Sequence, residues 1–156
     1  MTSDADILAQ IDAAFADVGK PEHFTDYRHC CECAEHDETL LSHDRDSLEL
    51  RHVGNPGWDP LCFSSAQGLA YYLPTLVHFA PRPAEPRARL VWRSAAVSSF
   101  SCGGAWNRLC CHCSPEQRGA IAALLAHLVE TRAAEVDGHP GEDVLLQACA
   151  LWSTPA

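Results

Sequence analysis

The chain is nearly without lysine and has no methionine beyond its first residue: Lys20 stands alone against ten arginines, and Met1 is the sole methionine. It also lacks any uncharged apolar run of the roughly 20 residues that a membrane helix needs, so no membrane span is expected. A net charge of -10 is the wrong sign for a phosphate backbone, which excludes nucleic acid as the expected partner. The opening Met1-Thr2-Ser3-Asp4-Ala5-Asp6 has no basic residue, and Asp12 and Asp17 interrupt the apolar positions after it, so it does not read as a secretory leader. A cytoplasmic protein is expected. Catalytic signatures are absent too. There is no G-x-S-x-G elbow and no H-E-x-x-H, and Ser101-Cys102-Gly103-Gly104 has no phosphate-loop lysine and reads as a turn.

What the chain does have is sulfur. Six of its nine cysteines fall in two short runs, His29-Cys30-Cys31-Glu32-Cys33 and Cys110-Cys111-His112-Cys113. Each run holds a C-x-x-C, and each carries a histidine. At 156 residues the chain can bury a core without disulfide staples, and cytosolic thiols stay reduced. The clusters then point to metal, redox chemistry or plain burial. Zinc takes four thiolate or imidazole ligands in a tetrahedron, and a C-x-x-C supplies two of them from one turn. Cys30, Cys33, Cys110 and Cys113 are the first assignment for one zinc site. His36 is a rival, because Cys30-x-x-Cys33-x-x-His36 places three ligands on successive turns. His29 and His112 lie close by in sequence. Cys31 and Cys111 exceed what a four-thiolate site needs, and that excess leaves Cu(I) open as an alternative to zinc. The single cysteines Cys62, Cys102 and Cys149 read as small core residues.

Helical signals dominate the rest. Residues 3–18 repeat Ile7, Leu8, Ile11, Ala14, Phe15 and Val18 on one face, with Ser3 as cap. A second helix is expected from Cys31 to about His43, with Ala34 and Leu40-Leu41 as its apolar positions. Next come a short strand over Leu48 to Val53 and a turn-rich loop over Gly54 to Pro60. Ser64-Ser65 caps a helix over 66–79, which Pro74 should kink or split. Pro81, Pro83 and Pro86 form a stiff connector, and 90–100 reads as either strand or helix. Ser114-Pro115-Glu116-Gln117 is a capping box with proline at the first helical position. The helix it opens carries Ile121, Leu124, Leu125, Leu128 and Val129 and ends near Gly138. A last helix runs from about Glu142 to Trp152. The expectation is a single domain over 1–156, mainly α, of five or six helices with at most a small β element, cross-linked by a metal site.

Two resemblances bear on function. Cys30 to Glu35 resembles, over six residues, the C-x-x-C-Ala helix of the flavin-linked Erv/ALR sulfhydryl oxidases. That family's downstream C-x-x-H-N-type flavin motif has no counterpart here, since Cys113 is followed by Ser114-Pro115. A broader likeness runs over His29 to Leu40, Val53 to Phe63, Gly68 to Pro74 and the Ser114 to Gln117 helix start. Over about two thirds of the chain it is similar to a group of bacterial proteins that share a domain of unknown function. That likeness implies a small bacterial cytosolic protein and no particular reaction. The sequence supports three functions. The first is metal binding through structural zinc. The second is a thiol-redox or metal-dependent enzyme, using a C-x-x-C pair or an open metal position. The third is a protein whose acidic face suits a basic protein partner.

Overall fold

The computed structural model describes residues 1–53, 58–79, 108–132 and 142–154. Six α-helices are found among them: α1 (Asp4–Ala14), α2 (Cys31–Leu41), α3 (Ala66–His78), α4 (Arg108–His112), α5 (Pro115–Thr131) and α6 (Glu142–Ser153). Two 3-10 turns, Leu50–His52 and Pro60–Phe63, join them, and no strand occurs among the described residues. The mainly α architecture is as expected. The proline connector, segment 90–100 and the Ser101–Gly104 turn lie outside the described residues. Helix α5 ends at Thr131, short of the end expected near Gly138, and the Arg132 N–H closes it on the Leu128 carbonyl.

Local chemistry explains the helix starts. The Ser3 hydroxyl accepts the Asp6 N–H at 3.2 Å, and the Asp6 carboxylate accepts the Ser3 N–H at 2.9 Å. Ser114 and Gln117 make the same reciprocal pair at the start of α5, at 3.2 and 2.9 Å. Ser65 caps α3 by accepting the Gly68 N–H at 3.1 Å. These bonds satisfy amide groups that a helix start otherwise leaves without partners.

Helices α1 and α5 pack along one another, and α5 also packs against α6. Ile7 and Ile11 from α1 and Phe15 at its C-cap meet Ile121, Leu124 and Leu125 from α5 in one buried cluster, with Ala148 and Trp152 from α6. Helix α3 lies against α1 and α4 and is buried nearly all round, from Gly68 to Pro74 and again at Leu76 and Val77. Despite Pro74, α3 continues as one helix, so the expected split does not occur. The Arg45 Nε donates to the neighbouring Tyr71 carbonyl at 2.6 Å, and the guanidinium lies 4.7 Å from the Tyr71 ring centroid. Arg45 Nη2 also donates to Phe15 and Val18 carbonyls at the end of α1, at 2.9 and 3.2 Å. Burial on nearly every side holds the turn around the proline. The expected strand over Leu48 to Val53 is instead a 3-10 turn. Leu48 and Val53 are buried, but the His52 ring takes the Glu49 N–H at 2.9 Å and closes the turn locally. A two-residue alternation meets no neighbouring strand here.

Close approach sets the α3 start. A Cβ on Gly68 would collide with Ser64 Oγ and come within 2.7 Å of Phe24 Cδ1. Phe24 is fully buried and stacks on Tyr72 with centroids 5.1 Å apart. Gly68→Ala should therefore lower stability by about 1–2 kcal/mol through overpacking, although alanine favours helix by roughly 1 kcal/mol. Chemical denaturation checks the sign; a stabilised variant would mean Phe24 yields freely.

The Asp4 carboxylate joins the first turn of α1 to the far end of α5. It lies 2.6 Å from His127 Nε2 and 3.3 Å from Arg132 Nη2. The His127 hydrogen bond, helped by Arg132, outweighs desolvation and holds the Asp4 carboxyl below its ordinary value of 3.8. A depressed folded-state value stabilises the fold above the unfolded pKa, and the benefit disappears as pH falls through the folded one. Asp4→Asn should thus be less stable than the native protein near neutrality. The two denaturation midpoints should converge as the pH falls below 3.8 and through the lower folded-state value, where native Asp4 becomes protonated. A constant gap across that range would remove Asp4 from the acid response.

Candidate metal centre

Helix α2 carries the site, and its buried face is unusual in composition. Cys33, His36, Asp37 and Leu40 are its buried residues, at the i, i+3, i+4, i+7 spacing of one helical face. Three of the four are polar or ionisable. Of Ala34, Leu40 and Leu41, the apolar positions expected from the sequence, only Leu40 is fully buried. The spacing of Cys33, His36, Asp37 and Leu40 is the signal that marks the correct face.

Asp37 anchors the preceding connector to this face. One of its oxygens accepts the Phe24 and Thr25 N–H groups at 2.6 and 3.0 Å. The other lies 2.7 Å from His23 Nδ1. Thr25 Oγ1 then donates to the Cys33 carbonyl at 2.7 Å. The chain turns back through the His29 N–H to Asp26 C=O bond at 2.9 Å, which delivers His29 to the start of α2. The other end of α2 is held by Lys20, whose Nζ donates to the Leu41 and His43 carbonyls at 2.8 and 2.6 Å. Tyr72 Oη donates to the Leu40 and His43 carbonyls at 2.7 and 2.8 Å. A cation at a helix C-terminus complements the dipole there.

Cys30 is the N-cap of α2, and its sulfur accepts the Cys33 N–H at 3.4 Å. Cys30 Sγ and Cys33 Sγ lie 3.4 Å apart, and Cys33 Sγ lies 3.7 Å from His29 Nδ1. These three ligand atoms all fall within 4.8 Å of one another. Among the described residues this is the group of three or more ligand-type side chains that can hold a metal ion. The electrostatics are asymmetric. The Cys33 N–H, with help from His29 and the Cys33 thiol, lowers the Cys30 thiol below its ordinary value. Cys30 in turn raises Cys33, with burial adding to it. His29 is raised by its hydrogen bond and charge interaction with Cys30.

The structure thus brings Cys30 and Cys33 together and adds His29, which the sequence left unassigned. It does not bring Cys110, Cys113 or His36 into that group. Cys110 lies on α4 and Cys113 just beyond it, both buried in the hydrophobic cluster with Leu109. Burial raises the Cys110 thiol and pushes Cys113 up to about 12, with nearby Cys110 adding to the latter. Thiols in such apolar surroundings keep their protons at neutral pH. Cys31, Cys111 and His112 are exposed. No disulfide joins the described cysteines.

His36 has a different environment. It is fully buried, between Phe63 and Trp58, with ring centroids 4.8 and 4.7 Å away. Neither ring nitrogen has a hydrogen-bond partner, and the Glu32 carboxylate stands 3.6 Å from Nε2, beyond hydrogen-bond length. A buried polar group in that state costs roughly 1–3 kcal/mol, while ring stacking returns about 0.5–1.5 kcal/mol. His36→Leu should therefore change unfolding free energy by less than about 1 kcal/mol, since removing the polar penalty offsets the lost stacking. A loss above roughly 2 kcal/mol would assign His36 a charge pair with Glu32.

No protein-family model, no curated protein and no solved structure matches the chain. Among the described residues, no helix is long and apolar enough to cross a membrane.

Proposed function

We propose that this is a zinc-binding protein whose site is His29 Nδ1, Cys30 Sγ and Cys33 Sγ at the start of α2. One observation carries the reading: the spacing of the ligand atoms. With Zn–S bonds of about 2.3 Å and Zn–N bonds of about 2.0–2.1 Å, a tetrahedron has S–S edges near 3.8 Å and S–N edges near 3.6 Å. The sulfurs stand 3.4 Å apart, and the Cys33 sulfur stands 3.7 Å from the imidazole nitrogen. Small side-chain rotations convert this arrangement into a coordination shell.

Two thiolates neutralise the divalent charge, and the imidazole adds a neutral donor. A nitrogen donor in the set favours zinc over Cu(I), which is selected by soft sulfur ligands. Three protein ligands leave a fourth position. Because His29 and Cys30 are exposed, that position opens to solvent and suits water, a substrate atom or a side chain from a partner. Asp37 and Thr25 support the site from below by fixing the connector and the first turn of α2.

Zinc content and competition with a chromophoric chelator test this. The native protein should bind one zinc. Cys30→Ser and Cys33→Ser should each weaken binding by more than about 100-fold, beyond the roughly 10–100-fold typical of outer-shell changes. Cys110→Ala and Cys113→Ala should keep the full equivalent. Retention of tight zinc by Cys30→Ser, or its complete loss in Cys110→Ala, would contradict the assignment.

A further inference from the structure

The two sulfurs differ in access, and that difference points to a second chemistry. Cys30 is exposed at the helix start, whereas Cys33 is 6% exposed and lies directly behind it. Their sulfurs are already in van der Waals contact at 3.4 Å. In the Cys110/Cys113 pair both residues are buried, so a substrate disulfide has no entry there. The Cys33 backbone is held by the Thr25 hydroxyl at 2.7 Å, which keeps the second sulfur stationed behind the first.

We propose that Cys30 and Cys33 form a dithiol–disulfide exchange centre that reduces an external disulfide, with Cys30 attacking and Cys33 resolving. Cys30 Sγ, as thiolate, forms a bond to one sulfur of the incoming disulfide. The substrate S–S bond breaks, and the departing thiolate takes a proton from solvent. Cys33 Sγ, 3.4 Å away, then attacks Cys30 Sγ and releases its proton to solvent. The mixed disulfide breaks, the second substrate thiolate leaves and is protonated, and a Cys30–Cys33 disulfide remains. Two electrons have passed from the protein dithiol to the substrate disulfide, giving two substrate thiols. Attack through an exposed sulfur, with a buried one to resolve it, restricts the substrate class to accessible disulfides.

The test is incubation of the metal-free full chain with oxidised glutathione, with chelator present throughout, followed by peptide mass spectrometry. A Cys31→Ser background removes the third thiol of the same peptide. The expected product is an intramolecular Cys30–Cys33 disulfide, seen as the loss of two hydrogens. Cys33→Ser should stop at a glutathione adduct on Cys30. In Cys30→Ser, Cys33 should form its adduct at least about tenfold more slowly than Cys30 does, because it is buried. A parallel incubation with a disulfide-bonded protein such as insulin shows which source of disulfide is the faster oxidant. Absence of the Cys30–Cys33 disulfide with both oxidants, or equal adduct rates at the two sulfurs, would overturn the proposal. Zinc plays no part under chelation, so this outcome and that of the zinc titration stand or fall separately.

Discussion

The buried Asp37 carboxylate is the constraint on which the arrangement depends. It takes two consecutive backbone N–H groups, from Phe24 and Thr25, and pairs with the His23 ring. A buried carboxylate is tolerable only when its oxygens are bonded in this way. The connector is thereby fixed, and its neighbours are placed by it. The Phe24 ring seats against Tyr72 and requires a glycine at position 68. The Phe24 carbonyl accepts the Ser65 N–H at 2.6 Å at the start of α3. Thr25 reaches the Cys33 carbonyl. One carboxylate on α2 thus couples the position of α3 to that of the cysteine pair.

Two C-x-x-C pairs of the same spacing meet different fates. The first begins a helix at the surface, where backbone N–H groups favour sulfur charge. The second sits beside Leu109 in the core, where desolvation keeps both thiols protonated. Sequence spacing is identical; environment separates a pair at the surface from a pair in the core. In the proposed site, metal binding and oxidation use the same two sulfurs. A Cys30–Cys33 disulfide leaves His29 alone, so oxidation removes the zinc ligands and bound zinc protects the dithiol. Each state excludes the other.

Much of the fold was legible because its signals are local. Ser3, Ser65 and the Ser114-Pro115-Glu116-Gln117 box each act within three residues, so their helix starts could be read directly. The Cys30/Cys33 pair was legible for the same reason. What escaped depends on distant partners. The Leu48–Val53 alternation looks like a strand, but strands need neighbours, and the His52 ring closes a turn instead. Pro74 does not split α3, because the helix is buried on nearly every side against elements distant in sequence. The joining of the two cysteine runs was an inference about long-range assembly, which spacing within each run does not encode. His29 was present in the sequence beside Cys30, but nothing local marked it above His36 or His112 as the third member of the group.

In the proposed metal site His29, Cys30 and Cys33 bind one ion together. X-ray absorption at the zinc edge of the zinc-loaded protein tests it most directly. Two sulfur neighbours at about 2.3 Å and at least one nitrogen or oxygen neighbour at about 2.0–2.1 Å are expected. A shell of four sulfurs with no lighter neighbour would contradict it, because Cys110 and Cys113 would then have to leave the core to complete the site.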